Sequence, residues 1–225
     1  MKRPRISSRQ VWENHERRVL VIFTRALELL RTQDDLDVCE DRLNRRLLSC
    51  IRKANGEFGK QNEGIDWPIT YEGNNQPDAD DKHRAARESK RPDFQWGFTD
   101  RSEADPDRQD RFYVIECKRL GKPVRKDWVF NKNYVEHGVL RFISPEHGYG
   151  MSAPSGAMIG YIRSMKPDDI LNEVNDHAQT VSLSPICVAG GRWIQRGLTR
   201  LEQTLERREI PPRSFQLRHL WADFR

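Results

Sequence analysis

The stretch Phe112-Tyr113-Val114-Ile115-Glu116-Cys117-Lys118 decides how the rest of the chain reads. Aromatic and β-branched residues lead it, which predicts a buried strand over residues 112–120. Alternate residues of a strand share a face, so Glu116 and Lys118 point one way and Ile115 and Cys117 the other. Just upstream, Arg91-Pro92-Asp93 opens a second strand over residues 93–98, in which Phe94, Trp96 and Phe98 alternate with Asp93, Gln95 and Gly97. The acidic, proline-containing residues 100–110 connect the two as an extended hairpin loop. If the two strands pair, Asp93 lies beside Glu116.

Two carboxylates a few ångströms apart repel and raise each other's pKa. A divalent cation removes that repulsion, and a set of oxygen ligands with open water positions suits Mg²⁺. The backbone carbonyl of Cys117 offers a third protein ligand. Lys118, beside such an ion, is placed to orient or deprotonate a water and to stabilise developing negative charge. The plainer reading of an acid-x-lysine on a strand is a solvated face.

Further upstream, residues 16–31 predict a first helix, with Val19, Ile22, Phe23, Ala26, Leu27 and Leu30 forming an apolar stripe. Asp37 is the expected cap of a second helix running to residue 54, with Glu40 in the capping-box position. At about 100° per residue, Leu43, Leu47, Ile51 and Ala54 fall on the side of Glu40, whereas Arg42, Arg45, Arg46, Ser49, Arg52 and Lys53 fall opposite. A charge in the middle of an apolar face is costly unless it is paired or near a metal. Glu40 therefore reads either as a third carboxylate of the site or as a capping group. Ile65, Trp67, Ile69 and Tyr71 alternate as in a half-buried strand, and residues 73–90 read as a mobile loop or insertion.

Downstream, residues 127–142 predict a helix carrying Tyr134, Gly138, Arg141 and Phe142, with Gly138 marking close packing on the sheet or approach of substrate. Residues 157–163 predict a buried strand. Pro167-Asp168-Asp169 suits the first turn of another helix. Leu198, Leu201 and Leu205 have helical spacing within residues 193–209, and residues 215–224 predict a last strand. The sum is an α/β domain with a mixed central sheet flanked by helices. Its core spans residues 37–163, and a helix-strand extension spans residues 190–225.

Composition bounds the function. The 225 residues suit one sizeable domain. They hold 39 Lys+Arg against 34 Asp+Glu, a formal net charge of +5. The segment 117–142 contains Lys118, Arg119, Lys122, Arg125, Lys126, Lys132 and Arg141 against Asp127 and Glu136, so the whole excess lies directly after the acidic motif. A solvated surface accounts for such a run, but this one is also placed to hold a phosphate backbone, with Arg119, Lys122, Arg125, Lys126 and Arg141 as the candidates. The longest strongly apolar run near the start, Val19 to Phe23, is far short of a membrane span, and residues 1–18 are basic without the apolar core of a signal peptide. The four cysteines form no C-x-x-C pair, the six histidines form no metal-spaced set, and no glycine-rich phosphate loop appears. A reducing, cytoplasmic setting is the expectation.

Pro92-Asp93 followed by Glu116-Cys117-Lys118 at the end of an apolar strand resembles the PD-(D/E)XK nuclease superfamily, which has the restriction-endonuclease-like fold. The resemblance covers residues 37–163. It implies a Mg²⁺-dependent endonuclease acting on DNA, with Mn²⁺ able to substitute. Asp93, Glu116 and the Cys117 carbonyl would hold the metal, Lys118 would act on the attacking water, and Glu40 would assist from its helix. It also implies duplex DNA as partner. The implied setting is a homodimer or a larger bacterial restriction or anti-phage complex with an ATPase or sensor. Two alternatives stay open: a non-catalytic DNA-binding or assembly subunit that keeps the fold, and an RNA-cleaving nuclease with the same site.

Overall fold

The computed structural model describes residues 8–34, 36, 39–77, 81–123, 125, 128–151, 153–191 and 197–225. Among them, a seven-stranded mixed sheet runs in the order β1-β2-β3-β4-β7-β6-β5. The strands are β1 (Thr70–Tyr71), β2 (Phe94–Thr99), β3 (Asp110–Leu120), β4 (Ser155–Ile162), β5 (Cys187–Val188), β6 (Leu198–Glu206) and β7 (Ser214–Asp223). β2 and β3 form the expected antiparallel hairpin, while β4 lies parallel to both β3 and β7. β5, β6 and β7 complete the sheet with antiparallel pairs.

Helices cover both faces. The helix α1 (Ser8–Arg31) and the helix α2 (Glu40–Gly59) pack on Tyr113, Ile115 and Cys117 of β3 and on Ala157, Ile159 and Tyr161 of β4. The opposite face carries α4 (Phe130–Glu136) and α5 (Pro167–Thr180), which cover Val114, Leu120, Met158, Ile162 and Trp221. Every residue of β4 is buried, as expected of a parallel strand between two helical layers. The alternation read in the 112–118 stretch thus assigns its residues to two different cores.

Several expectations need correction. α1 begins at Ser8, so Trp12 and His15 extend its buried face. Cys39 is the N-cap of α2 and makes no side-chain cap bond, so Glu40 is not a capping-box residue; Asp37 lies outside the described residues. Only Thr70 and Tyr71 of the alternating 65–71 stretch enter the sheet. The backbone before them is held by side chains, since Asn55 both donates to the Ile65 carbonyl and accepts from its N–H, and Trp96 donates to the Trp67 carbonyl. Within residues 73–90 a short helix, α3 (Arg84–Glu88), is anchored by a buried Arg87–Asp81 ion pair.

The helix expected over residues 127–142 is shorter. α4 ends at Glu136, and Val139–Phe142 form a separate 3₁₀ turn. Gly138 sits at that break, where a Cβ would collide with Met158 and the Tyr134 carbonyl, so close packing on the sheet explains it. The largest correction concerns the C-terminal quarter. Residues 198–206 are the strand β6 rather than a helix, and β7 is a central strand beside β4. This region is part of the sheet and not an extension of it; Trp193 lies outside the described residues.

Candidate active site at the unpaired edge of β3

The last rungs of the β2–β3 ladder toward this end are Gln95↔Val114 and Phe94↔Ile115. Beyond them Pro92-Asp93 leaves the sheet, because proline brings no N–H to a ladder. The β3 residues Cys117 and Arg119 therefore point N–H groups at an edge that, among the described residues, has no neighbouring strand. Two carboxylates take the place of that strand. Asp93 Oδ2 accepts from the Cys117 N–H at 2.6 Å, and Glu40 Oε2 accepts from the Arg119 N–H at 3.1 Å. Glu40 reaches this edge because α2 starts there, with Glu40 as its first residue.

Lys118 occupies the middle. Its Nζ donates to the Cys117 carbonyl at 2.8 Å and to Glu40 Oε1 at 3.0 Å, and lies 3.5 Å from Glu116 Oε2 and 3.9 Å from Asp93 Oδ2. Glu116 is fully buried, and Arg141 Nη1 donates to its Oε2 at 2.9 Å. The structure thus brings together Glu40, Asp93, Glu116, the Cys117 carbonyl, Lys118 and Arg141.

The electrostatics follow from three carboxylates sharing a shielded space with two cations. Burial pushes the Asp93 carboxyl well above the usual range, and Glu116 pushes it further, against the opposing pull of Lys118 and the Cys117 N–H. Burial works against the charge of Lys118, but Glu116, Glu40 and Asp93 outweigh it and raise its pKa. Lys118 is therefore a firmly charged ammonium here. A divalent cation among the same oxygens would oppose that pull, so both roles read from the sequence, orienting or deprotonating a water and stabilising negative charge, remain compatible with the geometry. Burial likewise opposes the charge of Arg141, and Glu116 restores and exceeds it.

One polar atom is left over. Among the described residues the buried Glu116 Oε1 meets no hydrogen-bond partner of good geometry, although the Tyr149 hydroxyl also interacts with the Glu116 carboxylate, and such a state is costly for a carboxylate oxygen. Together with Asp93 and the Cys117 carbonyl it makes an all-oxygen donor set, whose chemistry suits a hard divalent ion. Among the described residues, however, no three His, Cys, Asp or Glu side chains stand grouped as a ready metal site. The ammonium of Lys118 sits among the oxygens instead.

Sequence reasoning missed two members. Asn44 is fully buried, donates from Nδ2 to Asp93 Oδ1 at 3.1 Å, and accepts from the Tyr161 hydroxyl at 2.8 Å. Asn44 follows Glu40 by four residues on the same helical face, so the test for polar residues on an apolar stripe that singled out Glu40 would also have found it. Tyr161 gave no such signal, because a tyrosine in a buried strand reads as core.

The expected phosphate-contacting cations separate into groups. Arg141 is engaged with Glu116 at the centre. The Arg119 guanidinium lies over the Phe130 ring, 4.5 Å from its centroid. Lys122 and Arg125 are exposed, and Lys126 lies outside the described residues. Lys118, Arg119 and Arg141 all line a cavity of about 490 Å³ that opens beside Glu40.

No helix among the described residues is long and apolar enough to cross a membrane. Comparison with protein-family models, curated proteins and solved structures gives no significant match.

Proposed function

We propose that the chain is a Mg²⁺-dependent endonuclease that hydrolyses phosphodiester bonds in DNA, built on a restriction-endonuclease-like core of the PD-(D/E)XK type. The observation that carries the reading is the convergence of Asp93, Glu116 and the Cys117 carbonyl at the unpaired edge of β3, with Glu116 Oε1 buried and unsatisfied. Those three would hold Mg²⁺ or Mn²⁺. A bound ion supplies charge neutralisation and an activated water at such a site.

The chain's own residues do the rest. Lys118 would orient or deprotonate the attacking water and stabilise the charge that develops on the phosphate. Glu40 holds Lys118 in place through its Oε1 while its other oxygen fixes the β3 backbone. Asn44, tied to Tyr161, sets the angle of the Asp93 carboxylate. Arg119 and Arg141 line the cavity beside Glu40 and would meet a phosphate backbone there, with the exposed Lys122 and Arg125 as further contacts; Arg141 also partners Glu116. A bacterial restriction or anti-phage complex with a partner ATPase or sensor is the setting that goes with this reading.

One observation favours a second reading, a non-catalytic DNA-binding or assembly subunit. Lys118 already neutralises part of the carboxylate charge, so the cluster can be stable without metal. Incubating the purified protein with plasmid DNA and Mg²⁺ separates the two. The nuclease reading expects cleavage that stops with EDTA and with Lys118→Ala. Cleavage that survives Lys118→Ala would remove the site assignment, and salt-dependent binding without any cleavage would favour the second reading.

A further inference from the structure

The cavity beside Glu40 has a feature that a phosphate site alone does not explain. Among the described residues, Trp128 is the one large hydrophobic side chain that is exposed, at 42%. It lines this cavity with Phe130, Lys118, Arg119, His137 and Arg141. A backbone hydrogen bond from the Trp128 N–H to the Arg125 carbonyl holds it just before α4. Phe130, two residues on, already has its ring covered by the Arg119 guanidinium and is buried. Trp128 is thus an exposed indole lining the same cavity as Glu40, Lys118, Arg119 and Arg141, two of which, Glu40 and Lys118, belong to the candidate site.

An exposed aromatic ring next to phosphate-binding cations is the arrangement by which proteins take up bases of single strands, since every base offers a face to stack on. A paired base in a duplex has both faces covered by its neighbours and cannot reach the indole. The cavity volume falls within the range of small-ligand sites, about 300–1,000 Å³, which is adequate for one nucleotide.

Resting on the nuclease reading, we infer that Trp128 stacks one unpaired base of the DNA strand whose phosphate enters the β3 edge, so that the preferred substrate is single-stranded or locally unpaired at the cut. This replaces an unrestricted duplex with an opened one as the substrate class.

The test is a binding measurement in EDTA, where no cleavage takes place. A short oligothymidylate and a blunt duplex of equal length are titrated against wild-type protein, Trp128→Ala and Trp128→Phe, following tryptophan emission and fluorescence anisotropy of a labelled strand. The single strand should quench the wild-type emission and bind at least about tenfold more tightly than the duplex, as one stacked base allows. Trp128→Ala should lose about tenfold in single-strand affinity with duplex affinity unchanged. Trp128→Phe should keep most of the affinity and lose most of the quench. Equal affinities for the two DNAs, no measurable binding of the single strand, or an unchanged single-strand affinity in Trp128→Ala would overturn the inference. A parallel cleavage assay with Mg²⁺ keeps the two claims apart. Quenching that depends on Trp128 without cleavage sinks the nuclease reading alone, and cleavage without that dependence sinks the stacking alone.

Discussion

Arg207 and Lys118 are both buried or nearly buried cations, and they are satisfied in opposite ways. The Arg207 guanidinium donates to the carbonyls of Pro211, Pro212, Phe142, Tyr149 and Gly150, and lies 4.1 Å over the Phe215 ring. Its acceptors are neutral, and burial lowers its pKa to about 10. That cluster closes on itself and ties the end of β6 to the loop before β4. Lys118 faces charged acceptors, its pKa is raised, and an oxygen of Glu116 remains unsatisfied beside it. A structural charge cluster uses up its hydrogen-bonding capacity. One that holds back a buried acceptor has capacity left for a ligand.

The contrast predicts that removing each cation does different damage. Lys118→Ala should lower Mg²⁺-dependent DNA cleavage by at least about 100-fold, the scale for losing a charge-stabilising donor. It also leaves three carboxylates with one fewer cation, so Mg²⁺ should raise the melting temperature of the variant more than that of wild type. A melting temperature indifferent to Mg²⁺ in both proteins would erase the difference between the two clusters. Arg207→Leu should cost roughly 3 kcal/mol in urea unfolding, because several buried carbonyls lose their donor together. Its Mn²⁺ affinity should be unchanged, and a drop there would mean the clusters are not separate.

Asn44→Ala leaves the carboxylates in place but frees the angle of Asp93, and should weaken Mn²⁺ binding by about tenfold, as outer-shell partners typically do. The same variant would leave Mn²⁺ binding untouched if Asn44 were only core packing. Away from both clusters, burial holds His15 at a pKa of about 4 and His219 at about 3. Both are neutral in the fold, whereas the unfolded chain takes up their protons near pH 6.5. Their contribution to stability is thus complete above that pH and lost as the pH falls toward 4 and then 3. Urea midpoints should fall from pH 7 to pH 5, and His219→Gln should flatten that slope.

The centre of the fold was legible because its residues obey their periods. The β2–β3 hairpin, the faces of β3 and the apolar side of α2 all follow from alternation or helical spacing, and these elements carry Glu116, Lys118 and Glu40, with Asp93 immediately before β2. β6 was misread for a definite reason. Its buried positions include Thr199 and Gln203, with Leu201 and Leu205 in between and beyond. Polar residues at alternate buried positions leave leucines four apart, which imitates a helix. Gln203 is accommodated there by donating to the Ser184 carbonyl. Within the site, the approach of Lys118 to four oxygens depends on where β2 leaves the sheet, which is a tertiary fact with no local pattern.

In the proposed nuclease, the carboxylates at the unpaired edge of β3 form a divalent-cation site. Titrating Mn²⁺ into wild-type protein and Glu116→Gln, by electron paramagnetic resonance of the unbound ion, tests it most directly. Saturable binding that Mg²⁺ displaces, at least about tenfold weaker in Glu116→Gln, is the predicted result. Absence of saturable binding in the wild type, or equal affinity in the two proteins, would contradict it.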